Sequence, residues 1–116
     1  MKFRDIVDQI YIDPRKMVEY ALNQNHPRGR HKARVFKSAL GFDNKNFNHL
    51  KAQIESQILD AEANEGEVDQ HGKRYTVDLL IKGSSENEAL VRTCWLVPPG
   101  TRVGRLITLL VRKSHE

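Results

Sequence analysis

The sequence predicts an α+β fold in which N-terminal helices pack on a C-terminal antiparallel β-meander of three to four strands. Two observations carry this expectation. Apolar residues recur at helical spacing up to about residue 61, and from Tyr75 onward the period drops from 3.6 to 2. The links between the later strands are short, as a meander requires.

Asp13-Pro14 opens the first helix, because Asp can accept a backbone N–H at the N-cap and Pro suits the first helical position. Met17, Val18, Ala21 and Leu22 follow at helical spacing, and Asn23 to Pro27 ends the run. The shorter apolar segment Ile6 to Ile12 fits strand or helix equally. A second helix is expected over His31 to Leu40, with Ala33, Phe36, Ala39 and Leu40 on its apolar face and Gly41 as the stop. A third, over Phe47 to Ala61, carries Phe47, Leu50, Ile54, Ile58 and Ala61 on one stripe. Asn64 to Gly72 reads as an acidic loop.

The first strand follows, with Tyr75, Val77, Leu79 and Ile81 alternating against Thr76, Asp78 and Leu80. Gly83 to Asn87 is the hairpin loop, Ala89 to Val97 the next strand, and Pro98-Pro99-Gly100 a breaker before Arg105 to Arg112. If the first set faces the helices, Ile107, Leu109 and Val111 pack inward on the last strand, while Thr108 and Arg112 point to the open face. On the middle strand, either Arg92/Cys94/Leu96 or Thr93/Trp95/Val97 could point outward.

The chain has 116 residues, 39% hydrophobic and 29% charged, which fits one globular domain spanning 1–116. No apolar run approaches the roughly 18–20 residues that span a bilayer, so no membrane partner is expected. The N-terminus lacks the apolar stretch of a signal peptide. The one cysteine, Cys94, cannot form an internal disulfide, so a cytoplasmic setting is expected.

Net charge is +4, and its distribution is uneven. His26 to Lys37 holds Arg28, Arg30, Lys32, Arg34 and Lys37 and no acid; Ala89 to His115 holds Arg92, Arg102, Arg105, Arg112 and Lys113 and no acid. Between Ala52 and Gly72 the sign inverts, with Glu55, Asp60, Glu62, Glu65, Glu67 and Asp69. Two basic segments sharing a face would meet a polyanion, and RNA is the expected partner. The plain alternative is solvated surface on three elements.

The five histidines are scattered and the lone cysteine has no partner at zinc-site spacing, so no metal or other cofactor is expected. There is no phosphate-binding glycine loop and no hydrolase nucleophile elbow. Cations crowd the start of the second helix, an end that already favours anions, and a bound phosphate would offset their mutual repulsion. Arg28, Arg30, His31 and Arg34 are therefore candidate phosphate contacts, with Arg105 on the last strand. RNA cleavage without metal needs a base for the 2′-hydroxyl proton, an acid for the leaving oxygen and a cation for the developing charge. His26 is the candidate base or acid, with Lys32, Arg34 or Arg92 as the cation and Thr108 as the hydroxyl. The plainer readings are that His26 caps the preceding helix, that Thr108 is a β-former and that Trp95 is core.

Lys16…Glu19-Tyr20-Ala21-Leu22-Asn23…His26-Pro27-Arg28-Gly29…Lys32-Ala33-Arg34-Val35-Phe36…Leu40-Gly41-Phe42, then Tyr75-Thr76-Val77-Asp78, Val91-Arg92-Thr93-Cys94-Trp95 and Arg105-Leu106-Ile107-Thr108, form a pattern over nearly the whole chain. It resembles a bacterial toxin-associated domain that occurs alone beside an antitoxin or at the C-termini of polymorphic toxins. That domain in turn is similar to the barnase–EndoU–colicin–RelE class of ribonucleases. The resemblance implies a metal-independent endoribonuclease toxin, a toxin–antitoxin or polymorphic toxin component, neutralised by an acidic antitoxin or immunity protein. Carried over by position, the matching polar residues are His26, Lys32, Arg92, Thr93 and Thr108. The chain departs from the pattern at Leu109-Leu110, where relatives have a small residue and an aromatic, and at Cys94. The alternatives are a non-catalytic nucleic-acid-binding module and a toxin-neutralising adaptor.

Overall fold

The computed structural model describes residues 1–16, 30–84 and 86–112. The fold is α+β, with two helices on a five-stranded, mostly antiparallel sheet. In chain order the elements are β1 (Gln9–Tyr11), α1 (Pro14–Lys16), α2 (Arg30–Leu40), α3 (Phe47–Gln57), β2 (Asn64–Asp69), β3 (Gly72–Lys82), β4 (Glu88–Val97) and β5 (Val103–Val111). The sheet order is β1-β5-β4-β3-β2. β2 to β5 form the meander, and β1 adds to β5 in parallel, Gln9 opposite Val103 and Tyr11 opposite Arg105.

The expected helices form where the apolar stripes demand them. α2 buries Ala33, Phe36 and Leu40, and α3 buries Leu50 and Ile54, with a 3-10 turn continuing to Asp60 that buries Ile58. Gly41 ends α2 at φ 74°, its N–H donating to the Lys37 carbonyl at 2.9 Å. Asp13 caps α1, its Oδ1 accepting the Arg15 N–H at 3.0 Å. The expected helical positions Met17, Val18, Ala21 and Leu22 lie outside the described residues. No helix is long and apolar enough to cross a membrane among the described residues.

Two expectations change. Asn64 to Asp69 is a strand and not a loop, which makes the sheet five strands wide. All six of its residues are exposed, so no apolar alternation marks it; two of its three acids are paired across to β3, Glu65 with Lys73 and Asp69 with Arg74. The segment left open between Ile6 and Ile12 contains the short strand β1.

The second change is on β5. Cys94 pairs with Thr108 but Trp95 pairs with Leu106, a bulge that inserts one residue. The bulge reverses the alternation, so Leu106 and Leu109 are buried while Ile107 is only half-buried. Leu109 and the partly buried Val111 pack against the core as expected, and Leu106 replaces Ile107.

One continuous core joins these elements. Tyr75, Val77, Leu79 and Ile81 of β3 and Val91, Trp95 and Val97 of β4 meet Phe36, Leu40, Leu50, Ile54 and Ile58. Phe3 closes one end, its ring 5.6 Å from that of Trp95 and 5.9 Å from that of Tyr75. Gly104 admits that ring, since a Cβ there would lie 2.9 Å from its carbons. With Thr93, Trp95 and Val97 turned inward, Arg92, Cys94 and Leu96 face away from the helices.

Candidate active site

The outward face of β3, β4 and β5 carries a polar row that runs toward the first turn of α2. Register fixes its members. Asp78 lies opposite Arg92, Arg92 opposite Leu110, and Cys94 opposite Thr108. α2 runs beside the C-terminal half of β5, beyond the stretch that β1 covers. Lys32, in its first turn, donates from Nζ to Thr108 Oγ1 at 3.3 Å. A groove of about 430 Å³ lies along this junction, lined by His31, Lys32, Arg34, Val35, Leu110 and Val111. The start of α2 and the outward side of β5 thus share one cleft.

Arg92 is held in a fixed pose. Its Nε and Nη2 donate to Asp78 Oδ1 and Oδ2 at 2.9 and 3.2 Å, a two-point pairing that suits a planar guanidinium. Arg112 adds a third bond, Nη1 to Asp78 Oδ2 at 2.8 Å. The bonds from Arg92 above all hold the Asp78 carboxyl below the usual carboxylate range; partial burial opposes them, and Arg112 adds to them. The same pairing raises Arg92 further. Burial pushes the Cys94 thiol up, against the opposing fields of Lys32 and Arg92, a shift opposite to the lowering that activates a thiol.

Of the candidate catalytic residues, Lys32 and Thr108 are brought together and Arg92 shares their face of the sheet. Thr93 is not with them. It is fully buried on the core side, where its hydroxyl donates to the Val77 carbonyl at 2.8 Å and accepts the Trp95 Nε1–H at 2.7 Å. Strand alternation is the reason, because Arg92 and Cys94 point out and Thr93 must point in. Trp95 is accordingly core. His26 and Arg28 lie outside the described residues.

Of the candidate phosphate contacts, Arg30, His31 and Arg34 are exposed on the first turns of α2. Arg105 is also exposed and outward, but it lies beyond the bulge. Its guanidinium sits over the Tyr11 ring at 5.2 Å, beside a small cleft of about 100 Å³ shared with Asp13 and Leu96. Asp78 and Arg112 were not among the candidates. The outward position of Asp78 in the β3 alternation was a usable signal, but its partners emerge only from the β3–β4–β5 register.

The fold is similar to that of a chain in the contact-dependent growth inhibition toxin–immunity protein complex from Klebsiella pneumoniae 342. The TM-score is 0.68 at 15% sequence identity, over 89% of this chain and 93% of that one. No curated protein sequence matches the chain. A family model described as a domain of unknown function, DUF6883, matches residues 2–113, and the chain belongs to that family.

Proposed function

We propose that this domain is the toxin of a bacterial toxin–immunity pair and cleaves RNA without a metal ion in the cytoplasm of the target cell. The observation that carries the reading is the contact of Lys32, which lines the cleft at the basic start of α2, with Thr108 beside that cleft. An ammonium and a hydroxyl this close together can hold the two non-bridging oxygens of one phosphodiester. Attack by the neighbouring 2′-hydroxyl would put extra negative charge on those oxygens, and Lys32 would stabilise it. Thr108 would orient the phosphate by donating its hydroxyl once Lys32 turns to the substrate. The products are a 2′,3′-cyclic phosphate and a 5′-hydroxyl. The 2′-hydroxyl proton passes to a base and the leaving 5′-oxygen takes a proton from an acid; His26, outside the described residues, is the sequence candidate for either role. Arg30, His31 and Arg34 would track the flanking backbone, giving a steep salt dependence.

The likeness to a toxin–immunity complex supports a protein partner as well. For a toxin of net charge +4, that partner is an acidic immunity protein. One observation favours a different reading, the immunity component: β2 is a fully exposed edge strand bearing Glu65, Glu67 and Asp69, which suits a basic partner. Purified protein incubated with total RNA and with short oligonucleotides decides between them. The toxin reading expects cleavage products ending in cyclic phosphate, growth arrest on expression, and loss of both in His26→Ala. Intact RNA over a range of substrates, together with normal growth, contradicts it.

A further inference from the structure

Asp78 and Arg112 have no part in the cleft just described, yet they form the most heavily bonded charge cluster on the outward face. One carboxylate on β3 takes three bonds from two guanidiniums, Arg92 on β4 and Arg112 at the end of β5. The burial order is informative. The Asp78 side chain is 21% exposed, against 37% for Arg92 and 44% for Arg112. The acid sits beneath and the cations sit above it, so the cluster offers solvent a net positive surface. A guanidinium has five N–H groups, and the bonds to Asp78 use two from Arg92 and one from Arg112.

The cluster is one row along from Lys32 and Thr108. Arg92 and Cys94 are successive outward residues of β4, and Cys94 is opposite Thr108. Two residues of strand advance about 6.6–6.8 Å. That is comparable to the separation of neighbouring phosphates along an extended single strand. We infer that Arg92 and Arg112 form a seat for the phosphate next to the scissile one, and that Asp78 is the positioning residue that clamps the two guanidiniums into it. The inference rests on the RNA-cleaving reading for its substrate. It adds Arg112 as a binding residue and requires a substrate with at least two phosphates.

The test compares a dinucleoside monophosphate, which has only the scissile phosphate, with a short oligoribonucleotide. Arg112→Ala and Asp78→Asn should each lower kcat/KM on the oligonucleotide about tenfold more than on the dinucleoside, chiefly through KM. Asp78→Glu should recover part of the loss. Asp78→Asn is the sharper variant, because it removes one negative charge and on charge alone would tighten RNA binding. Equal losses on both substrates, or none on either, overturn the inference while leaving the cleavage reading in place. A 2′-deoxy oligonucleotide, which cannot be cut by this chemistry, gives a second readout. Both variants should weaken its binding, and Arg112→Ala should reduce the salt slope by about one. If the wild type cuts no RNA but the deoxy oligonucleotide shows these losses, the phosphate seat stands and the nuclease reading falls. If neither variant weakens that binding, the seat falls.

Discussion

The Trp95 indole N–H donates to the Thr93 hydroxyl, which itself donates to the Val77 carbonyl, so one threonine satisfies two buried polar groups. Thr93→Val keeps the shape and removes the hydroxyl. It leaves the indole N–H and that carbonyl lone pair without this partner in a dry core, and should cost about 1–3 kcal/mol of stability. Thr93→Ser should cost less. Urea denaturation of the two variants measures the difference, and a Thr93→Val variant as stable as wild type would contradict this account.

A second expectation concerns the sheet margin. β2 pairs with β3 only as far as Thr76, which leaves the far end of β3 without a strand on that side. Two glutamines of α3 take the place of one. Gln53 donates to the Lys82 carbonyl at 2.6 Å and accepts the Lys82 N–H at 2.8 Å, and Gln57 donates to the Leu80 carbonyl at 3.1 Å. Covering an edge this way protects it from pairing with other chains. Gln53→Ala with Gln57→Ala should lose about 1–3 kcal/mol and aggregate more readily on warming. Calorimetry with light scattering checks both effects.

Acid should destabilise the fold through a small set of carboxylates. Asp78 is held low by Arg92 and then Arg112, Asp43 by Lys37 and the Lys45 N–H, Asp69 by the His71 N–H and Arg74, and Glu65 by Lys73. A carboxylate whose folded pKa lies below its unfolded value, about 3.9 for Asp and 4.3 for Glu, binds fewer protons folded than unfolded. Its contribution is therefore complete above the unfolded value and is lost as pH falls through the folded one. The urea midpoint should be flat with respect to these groups from pH 7 to about 5 and fall below about 4. Asp78→Asn should fall less steeply in that acid range, and an unchanged acid slope would contradict the assignment.

The helices and the later strands were legible because burial leaves a period behind. Phe36 and Leu40, then Leu50, Ile54 and Ile58, are spaced as a helix face must be, and Tyr75 to Ile81 alternate as a half-buried strand must. β2 left no such trace, since none of its six residues is buried and its acids look like loop. The bulge beside Ile107 was hidden because Leu106, Ile107, Leu109 and Leu110 are equally apolar. The site was partly legible for the same reason. Chemistry singled out Lys32 and Thr108, which meet. The family resemblance, not chemistry, added Thr93, and only the inward turn of Thr93 with Trp95 reveals that its hydroxyl bonds within the core. Asp78 needed the pairing of three strands to become visible.

The central claim is that Lys32 and Thr108 act together on one phosphate. A double-mutant cycle with Lys32→Ala, Thr108→Val and the pair, measured as single-turnover cleavage of one oligoribonucleotide at a temperature where all four proteins are folded, tests it most directly. The expected result is a loss on the order of 10²–10³ for Lys32→Ala, with the double variant little worse than that single one. Losses that multiply independently, or a Lys32→Ala protein as active as wild type, would contradict it.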